Sequence, residues 1–583
     1  MPLFAAALRR GPALPAGGEA FAAFAAALPF YPGRAAERWA APDGRYVLHW
    51  ITEEDDGTPR VGAGAAFFGR PIVWTDTTRA DGRAPLAPGF FARPPAEWAA
   101  GLDGRCAVLR YADGALEVYT DPLGAYPLYR AEGGGALWIA NSPVLAAQLA
   151  GLPERPSDPA ALAAIVGGGW SLSGEPPIPG VRRVPPEWLW RFDADGERAA
   201  QPLLDLEALR AAAGRPLDTA AASATVRAAL AAQADWPGRP SVVAVTGGRD
   251  SRVVLAAALA AGEPFTAGTG GGEDDPDVVI ARQLCERTGV PHRLIGAVPG
   301  GDRWSDPARA AAILWALTGG TATLANGAGF PLAPWELPRA LWHSGQGGEI
   351  GRRVYGDAAD ADALLRLFLA RRPGRPDLLT PDAAGLVHDE LARFVDETRA
   401  VGFAAADIPD VYYLRRRMGT WAGPTHAAVE PVRDITSVLW SRRVAPHLLA
   451  GTPADRLRER FHRELVGTLA PALTAFPFQD GSSWTERAHP RIDRARRLTG
   501  KLRREVARRL AVRRTPEAPA GPAPPDPRAA LLAGTREALL DQPVWDVLER
   551  RDVDALLALP PDALDDWRWQ QVWRLASLSL PAL

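Results

Sequence analysis

The sequence predicts a mixed fold: an α+β N-terminal region rich in β-strands, followed by an α/β region built on a parallel sheet. Up to about residue 205, short apolar runs are broken by Gly, Asp and Pro, as in RYVLHWI (45–51) and CAVLRYADGALEVYT (106–120). The Ala-Asp-Gly inside the second run is typical of a β-hairpin turn. From about residue 215, Ala- and Leu-rich stretches alternate with short apolar runs, which is the pattern of a parallel sheet with crossover helices.

The elements of the second region follow from this alternation. In chain order we expect helix 219–233, strand 241–245, helix 251–261, strand 264–268, helix 276–288 and strand 292–298. Residues from about 303 to 470 are expected to be mostly helical. The Trp-rich end of the chain, WRWQQVWRLASL, is also expected to be helical.

Length and charge limit the class of protein. A chain of 583 residues is too long for one hydrophobic core, so two or three domains are expected. The net charge of −2 gives no indication of a nucleic-acid or membrane partner. With only two cysteines, Cys106 and Cys285, a disulfide framework is excluded and a reducing compartment is expected. The absence of a membrane-spanning apolar run adds to the prediction of a cytoplasmic protein.

A glycine-rich turn is the strongest functional signal. In VVAVTGGRDSRVVLAAALAAG (242–262), a buried-strand pattern leads through two glycines into a helix. Ligands of open α/β sheets bind at such carboxyl ends of strands, and helix N-termini favour phosphate. A carboxylate from Asp250 would repel a phosphate unless it held a bridging Mg²⁺. The alternative is a tight turn in which Asp250 caps the helix.

The motifs of the second region resemble those of a known group. TGGRDS (246–251) resembles the SGGxDS signature of the PP-loop ATP pyrophosphatases. The stretch 265–295 is similar to the second strand–helix–strand unit of asparagine synthetases. LWHSGQGGEIGRRVYGD (341–357) resembles their SGDGxDExFxGY pyrophosphate motif. These residues indicate an asparagine synthetase-like protein.

The N-terminal region agrees with this resemblance. LDGRCAVLRY (102–111), TDPLGAYPLYR (120–130) and WIANSPVLAAQL (138–149) resemble a run in the family's glutaminase-like domain. The resemblance implies an Ntn-hydrolase-like sandwich and a PP-loop domain, of the adenine nucleotide alpha hydrolase-like type, with a large helical part. The implied units are a glutaminase-like domain (1–205), an ATP pyrophosphatase domain (206–512), a Pro-rich linker (513–527) and a C-terminal helical tail (528–583).

The resemblance also implies a reaction and a set of site residues. A carboxylic acid would be activated by ATP as an acyl-adenylate, and ammonia or an amine would then form an asparagine-like amide, a lactam or a macrolactam. Mg²⁺ would be held by Asp250 and Glu349, and Arg352 would neutralise charge in place of the family's lysine. The ATP-binding residues would be Val245, Thr246, Gly247, Gly248, Asp250, Ser251, Ala267, Ser344 and Gly345.

Three departures from the family pattern qualify this prediction. Pro2 stands where glutamine-hydrolysing members have a nucleophilic cysteine, so glutamine hydrolysis is not expected. β-Lactam synthetases and lasso-peptide cyclases show the same loss. Gln346 stands where the family has a Mg²⁺-binding aspartate. The family's catalytic lysine has no counterpart, because the one lysine of the chain is Lys501. Arg352 and Arg353 are close enough in sequence to supply charge, but an arginine does not act as a general acid or base.

Two other functions stay open. One is a catalytically inactive asparagine synthetase-like binding protein. The other is a different PP-loop activity such as tRNA modification, suggested by the basic segment 487–514, which has twelve Arg or Lys and two acidic residues. This segment is interpreted first as a solvated helix, then as a docking surface for an acidic carrier protein or leader peptide, and only third as a nucleic-acid site. Cys106 and His343 are interpreted as core residues.

Overall fold

The computed structural model describes most of the chain. The described residues are 2–12, 17–52, 64–87, 89–194, 196–236, 239–295, 306–325, 340–358, 360–371, 375–431, 433–484, 526–540 and 542–579. The basic segment 487–514 and nearly all of the predicted linker 513–527 lie outside them. In the part that is described, no helix is both long and apolar enough to cross a membrane.

The N-terminal region is a sandwich of two antiparallel sheets, as the sequence predicts. The first sheet has the order β12-β10-β11-β1-β3-β2 and the second the order β14-β13-β9-β8-β4, with a small sheet β6-β5-β7 beside them. The strands are β1 (Leu3–Arg9), β2 (Glu37–Ala40), β3 (Tyr46–Ile51), β4 (Ala65–Gly69), β5 (Ile72–Trp74), β6 (Ala80–Asp81), β7 (Leu102–Asp103), β8 (Cys106–Ala112), β9 (Ala115–Thr120), β10 (Tyr129–Gly133), β11 (Ala136–Ala140), β12 (Val181–Arg183), β13 (Trp188–Asp193) and β14 (Gly196–Pro202).

Strand β1 shows why the sandwich holds together. One set of its side chains, Phe4, Ala6 and Leu8, packs against the second sheet, and the Phe4 and Phe68 rings stack 3.7 Å apart. The alternate set packs against helices on the other face. Because both faces are buried, the strand is apolar at nearly every position instead of alternating. The helices of the N-terminal region are α1 (Gly18–Ala27), α2 (Pro95–Gly101), α3 (Pro143–Ala150) and α4 (Pro159–Gly168), of which α1 and α3 pack on the first sheet.

The predicted hairpin between β8 and β9 is confirmed. Asp113 and Gly114 both have positive φ values, 52° and 73°, and Ala112 pairs with Ala115 across the turn. A two-residue turn of this kind matches the twist of antiparallel strands, and it favours Asp-Gly because a left-handed backbone is least strained at these residues. Cys106, at the start of β8, is fully buried, which confirms its interpretation as a core residue.

The second region contains the predicted parallel sheet. Its order is β17-β16-β15-β18-β19, and all four neighbouring pairs of strands are parallel. The strands are β15 (Ser241–Ala244), β16 (Phe265–Gly270), β17 (His292–Ile295), β18 (Leu341–His343) and β19 (Asp434–Thr436). The helices around it are α5 (Leu206–Ala212), α6 (Thr219–Ala234), α7 (Asp250–Ala261) and α8 (Pro276–Thr288). Helix 276–288 is confirmed, and His343 is fully buried in β18, as expected for a core residue.

Several predicted boundaries need correction. Strand β15 ends at Ala244, β16 continues to Gly270, and β17 ends at Ile295, beyond which residues 296–305 are not described. Helix α7 begins at Asp250, so Arg249 is its N-cap residue and makes no side-chain capping bond. The interpretation of Asp250 as a helix cap is therefore wrong, because its carboxylate has other partners, described below.

Helices make up most of the remaining chain. They are α9 (Pro307–Thr318), α10 (Ala361–Arg371), α11 (Pro381–Ala400), α12 (Ile408–Tyr412), a π-helix (Tyr413–Ala422), α13 (Gly423–Val429), α14 (Ala445–Leu449), α15 (Pro453–Leu457), α16 (Arg460–Leu469), α17 (Pro527–Leu540), α18 (Arg550–Leu557) and α19 (Asp566–Ser579). The C-terminal segment is helical and belongs to the main core. Helix α19 packs on α9 and α4, and Trp573 within it is fully buried, so the Trp-rich pattern reflects packing.

Candidate functional site

Two glycine-rich turns meet at the carboxyl edge of the parallel sheet. The first follows β15 and the second follows β18, and these strands are neighbours. A methyl group built on Gly345 would lie 2.5 Å from the backbone nitrogen of Ser251, and one built on Gly348 would overlap the Asp250 carboxylate. The glycines thus allow the backbones to touch. The structure brings together the two motifs that the sequence places about a hundred residues apart.

Asp250 is the centre of a half-buried ion-pair cluster. Nε of Arg352 donates to Oδ1 at 2.9 Å and Nη2 donates to Oδ2 at 2.5 Å, while Nε2 of His462 donates to Oδ1 at 2.7 Å. Burial raises the pKa of Asp250, but the charge of Arg352 and the bond from His462 outweigh it and lower the pKa to about 2. The carboxylate is thus ionised and fully engaged.

Glu349 is the second carboxylate of the cluster. Its Oε2 accepts the backbone N–H of Gly347 at 3.0 Å, and the side chain also hydrogen bonds with Tyr413. Burial and the charge of Asp250 raise the pKa of Glu349, and Arg352 only partly opposes this. The pKa values of the two carboxyl groups therefore shift in opposite directions. Such divergence is common in sites that catalyse proton transfer.

The arrangement does not fit a Mg²⁺ ion held by Asp250 and Glu349. Both oxygens of Asp250 already accept bonds from cationic or ring N–H groups, so a guanidinium occupies the position where the ion was expected. Across the described ranges, no group of three or more His, Cys, Asp or Glu could hold a metal. Any Mg²⁺ at this edge would depend mainly on the phosphates of a nucleotide for its ligands.

Three N–H groups of the first turn already have acceptors within the chain. The N–H of Gly247 donates to Oδ1 of Asp277 at 2.8 Å, and that of Gly248 donates to Oγ1 of Thr246 at 3.0 Å. The N–H of Thr246 is within 3.2 Å of Oγ of Ser251. A phosphate could take the N–H of Gly247 only if Asp277 moved away. Asp277 lies on α8, and sequence reasoning missed its contact with the turn.

Two further residues predicted to bind ATP, Val245 and Ala267, lie in the core of the parallel sheet. The side chains of Val245 and Ala267 are buried. Val245 donates its N–H to the carbonyl of Gly268 at 3.0 Å and accepts the hydroxyl of Thr269 at 2.6 Å. Ser344 donates its N–H to Thr436 at 2.8 Å. The backbone groups of this side of the predicted site are therefore already paired.

A segment that the sequence did not single out covers the first turn; we call residues 476–482 the covering segment. The N–H of Gln479 donates to the carbonyl of Gly247 at 3.1 Å. Arg249 pairs with Glu459 at 2.7 Å and Asp480 at 3.2 Å, and its guanidinium stacks on Phe478. Only the glycine-containing QDGSS turn pattern (479–483) signals this loop in the sequence, and nothing local reveals where it docks.

Several buried polar atoms at this edge lack hydrogen-bond partners within the described residues. They are Oε1 of Gln346, Oε1 of Gln479 and Nδ1 of His462. Unmade hydrogen bonds of buried groups are costly, so such atoms indicate water or a polar ligand. These three atoms are the strongest indication that this edge of the sheet binds a polar molecule.

A sizeable cavity lies away from this edge. It has a volume of about 920 Å³ and is lined by Thr78, Leu203, Thr225, Arg442 and His447, among others. It lies where the sandwich meets helices α5 and α14, and it includes none of the predicted site residues.

The comparisons with known proteins leave the family open. No family model and no curated protein matches the chain. A solved structure described as an allosteric regulatory enzyme of purine biosynthesis is similar over 50% of this chain, with 11% identity and a TM-score of 0.24. This chain spans 65% of that structure's length. A likeness at this TM-score carries no argument about function.

Replacing Gly348 by alanine is expected to destabilise the protein by about 1–3 kcal/mol, because the new methyl group would overlap the Asp250 carboxylate, which Arg352 holds in place. Urea unfolding measures the effect. The matched control is Gly467→Ala in α16, where no atom lies within 4 Å of the added methyl and alanine favours the helix. A loss that was equal in both variants would contradict the close approach of the two turns.

The Asp250 cluster is expected to stabilise the protein less in acid. The pKa of Asp250 is lowered to about 2, so its contribution is complete above the ordinary pKa of about 3.8 and is lost as pH falls toward 2. The contribution is about 2 kcal/mol, of which about half is lost by pH 3. Urea unfolding of the wild type and Asp250→Asn should show a difference that narrows between pH 6 and pH 3. A constant difference would contradict the lowered pKa.

Proposed function

We propose that this protein is an ATP-dependent ligase that forms an amide bond by activating a carboxylic acid as an acyl-adenylate, in the manner of asparagine synthetases. The observation that carries the proposal is the contact between the TGGRDS turn and the SGQGGE turn at the carboxyl edge of the parallel sheet. Both motifs resemble those of the family, and this edge is where open α/β sheets bind ligands.

In the proposed reaction, a carboxylate oxygen of the acid attacks the α-phosphorus of ATP and pyrophosphate leaves. The nitrogen of ammonia or an amine then attacks the acyl carbon, and AMP leaves. The N-terminus of α7 and the hydroxyls of Thr246 and Ser251 would bind phosphate oxygens once the turn exchanges its internal bonds for those of the nucleotide. Arg352 would neutralise developing charge while Asp250 holds its guanidinium in position.

The proton carrier of the cluster would be His462. Arg352 cannot release a proton at working pH, whereas an imidazole can. Nε2 of His462 is held by Asp250, and Nδ1 has no partner within the described part of the chain. In this proposal Nδ1 is the atom that would accept a proton from the attacking amine, directly or through water.

The N-terminal sandwich is proposed to be an Ntn-hydrolase-like domain without glutaminase activity. Its cysteine, Cys106, is fully buried in β8, and burial raises the pKa of its thiol. A buried neutral thiol is a poor nucleophile. The nitrogen donor would then be ammonia or a substrate amine.

The deciding experiment is ATP–pyrophosphate exchange with the purified full chain, with and without Mg²⁺, in the presence of pools of carboxylic acids and peptides. Exchange that depends on an acid pool would support adenylation, and the responding pool would narrow the substrate. No exchange with any pool, together with no ATP binding by calorimetry, would overturn the proposal.

A second candidate is a binding protein without turnover. It is favoured by the internal bonds of the first turn and by the pairing of Asp250 with Arg352. It predicts that ATP binding and exchange are both absent, and that Asp277→Ala, which would release the N–H of Gly247, does not restore either. Nucleotide binding gained in that variant would show that only Asp277 blocks the turn.

A further inference from the structure

An unusually long π-helix lies beside the candidate site. It runs from Tyr413 to Ala422, between α12 and α13. Most π-helical segments are single-turn bulges, and they occur often at functional sites because the wider turn reorients side chains. A ten-residue segment of this kind therefore places several side chains in unusual surroundings.

Arg417 on this helix is a buried cation that has no counter-ion among the described residues. It is 5% exposed, and its guanidinium carbon lies 3.9 Å from the Trp170 ring centre and 4.2 Å from that of Trp421. Nη1 has no hydrogen-bond partner, and no carboxylate of the described chain forms an ion pair with the group. Arginines this deeply buried are ordinarily paired with an acid.

The neighbouring arginines show the contrast. Arg415 forms two hydrogen bonds with Glu187, at 2.8 and 3.0 Å, and Arg416 lies 3.7 Å from Glu397. Among the described residues, the recorded partners of the Arg417 guanidinium are the faces of two indole rings, which attract a cation but leave Nη1 without an acceptor. Nη1 of the guanidinium is therefore available to donate a hydrogen bond to an anion.

The surroundings connect Arg417 to the Asp250 cluster. The positive charge of Arg417 acts to lower the pKa of Tyr413. The side chain of Tyr413 hydrogen bonds with Glu349, and the negative charge of Asp250 raises the pKa of Glu349. Oγ1 of Thr420, on the same π-helix, is also buried without a partner among the described residues. Trp421 is only half-buried, so an anion would reach the guanidinium from its side.

We propose that Arg417, clamped between Trp170 and Trp421, binds a carboxylate group of the acid substrate. This inference rests on the proposed ligase function and adds a residue that selects the substrate. The two parallel N–H bonds of a guanidinium match the two oxygens of a carboxylate, and one negative charge balances the single buried positive charge. Thr420 supplies a further hydroxyl donor.

The direct test is calorimetric binding of sodium acetate and sodium succinate to the full chain without ATP. Wild type is expected to bind at least one of them, and Arg417→Met to lose roughly ten- to hundredfold in affinity. Arg416→Met, the adjacent arginine, is the matched control and is expected to bind within about twofold of wild type. Sodium phosphate and sodium sulfate, measured in parallel, are expected to bind more weakly.

A second arm uses ATP–pyrophosphate exchange. Arg417→Met is expected to raise the KM for the acid roughly ten- to hundredfold and leave the KM for ATP unchanged, with partial rescue in Arg417→Lys. If wild type shows neither exchange nor ATP binding but binds the carboxylate probe through Arg417, the ligase proposal fails and the site stands. If Arg417→Met does not fold, Arg417→Lys and Thr420→Val carry the binding test.

Four results would overturn the site. They are no carboxylate binding by wild type, equal binding by Arg417→Met, an equal loss in Arg416→Met, and tighter binding of phosphate or sulfate than of either carboxylate. A lower melting temperature of Arg417→Met with unchanged binding would assign Arg417 a purely structural role.

Discussion

Replacing Glu430 by glutamine is expected to destabilise the protein by about 3–5 kcal/mol, because it leaves a buried guanidinium without its counter-ion. Nη2 of Arg105 lies 2.6 Å from Oε2 of Glu430, and the two side chains are 3% and 2% exposed. Arg105 belongs to the sandwich, and Glu430 follows α13 in the helical region. The pair therefore ties the two regions of the chain together.

Urea unfolding of full-length variants measures this effect. Glu132→Gln, at an exposed position of β10, is the control and is expected to change stability by less than about 0.5 kcal/mol. The double variant Arg105→Met/Glu430→Gln is expected to recover part of the loss, since it removes the unpaired charge as well. A loss below about 1 kcal/mol in Glu430→Gln would contradict the tie between the regions.

Replacing Asp250 by asparagine is expected to lower acid-dependent ATP–pyrophosphate exchange roughly 10²- to 10³-fold, if the proposed ligase activity is present. The amide keeps the size of the side chain but removes the charge that holds Arg352 and His462 in position. Both groups would then lose their alignment with a bound phosphate, which is a large part of electrostatic catalysis.

The matched control for Asp250 is Asp274→Asn, an exposed aspartate in the loop after β16. It is expected to keep exchange within about twofold of wild type. Exchange is measured below the melting temperature of both variants, so that unfolding does not contribute. Asp250→Asn with wild-type exchange would show that the cluster serves stability alone.

The local features of this protein can be predicted from its sequence. Alternating helical and apolar runs gave the parallel sheet, Asp113-Gly114 gave the hairpin, and the apolar setting of Cys106 placed it in the core. Each of these depends on neighbours within a few residues, where periodicity and backbone preference act directly. The TGGRDS turn was placed at the end of a strand for the same reason.

The contacts between these local features depend on the tertiary structure. Asp250 meets Arg352 and His462, which are 102 and 212 residues away in the chain, so no local pattern could show that its carboxylate is paired and not available as a Mg²⁺ ligand. The same holds for Asp277 at the turn and for Arg417 between two tryptophans. Burial and charge pairing depend on which surfaces the folded chain brings together, and periodicity reports only which side of an element is buried.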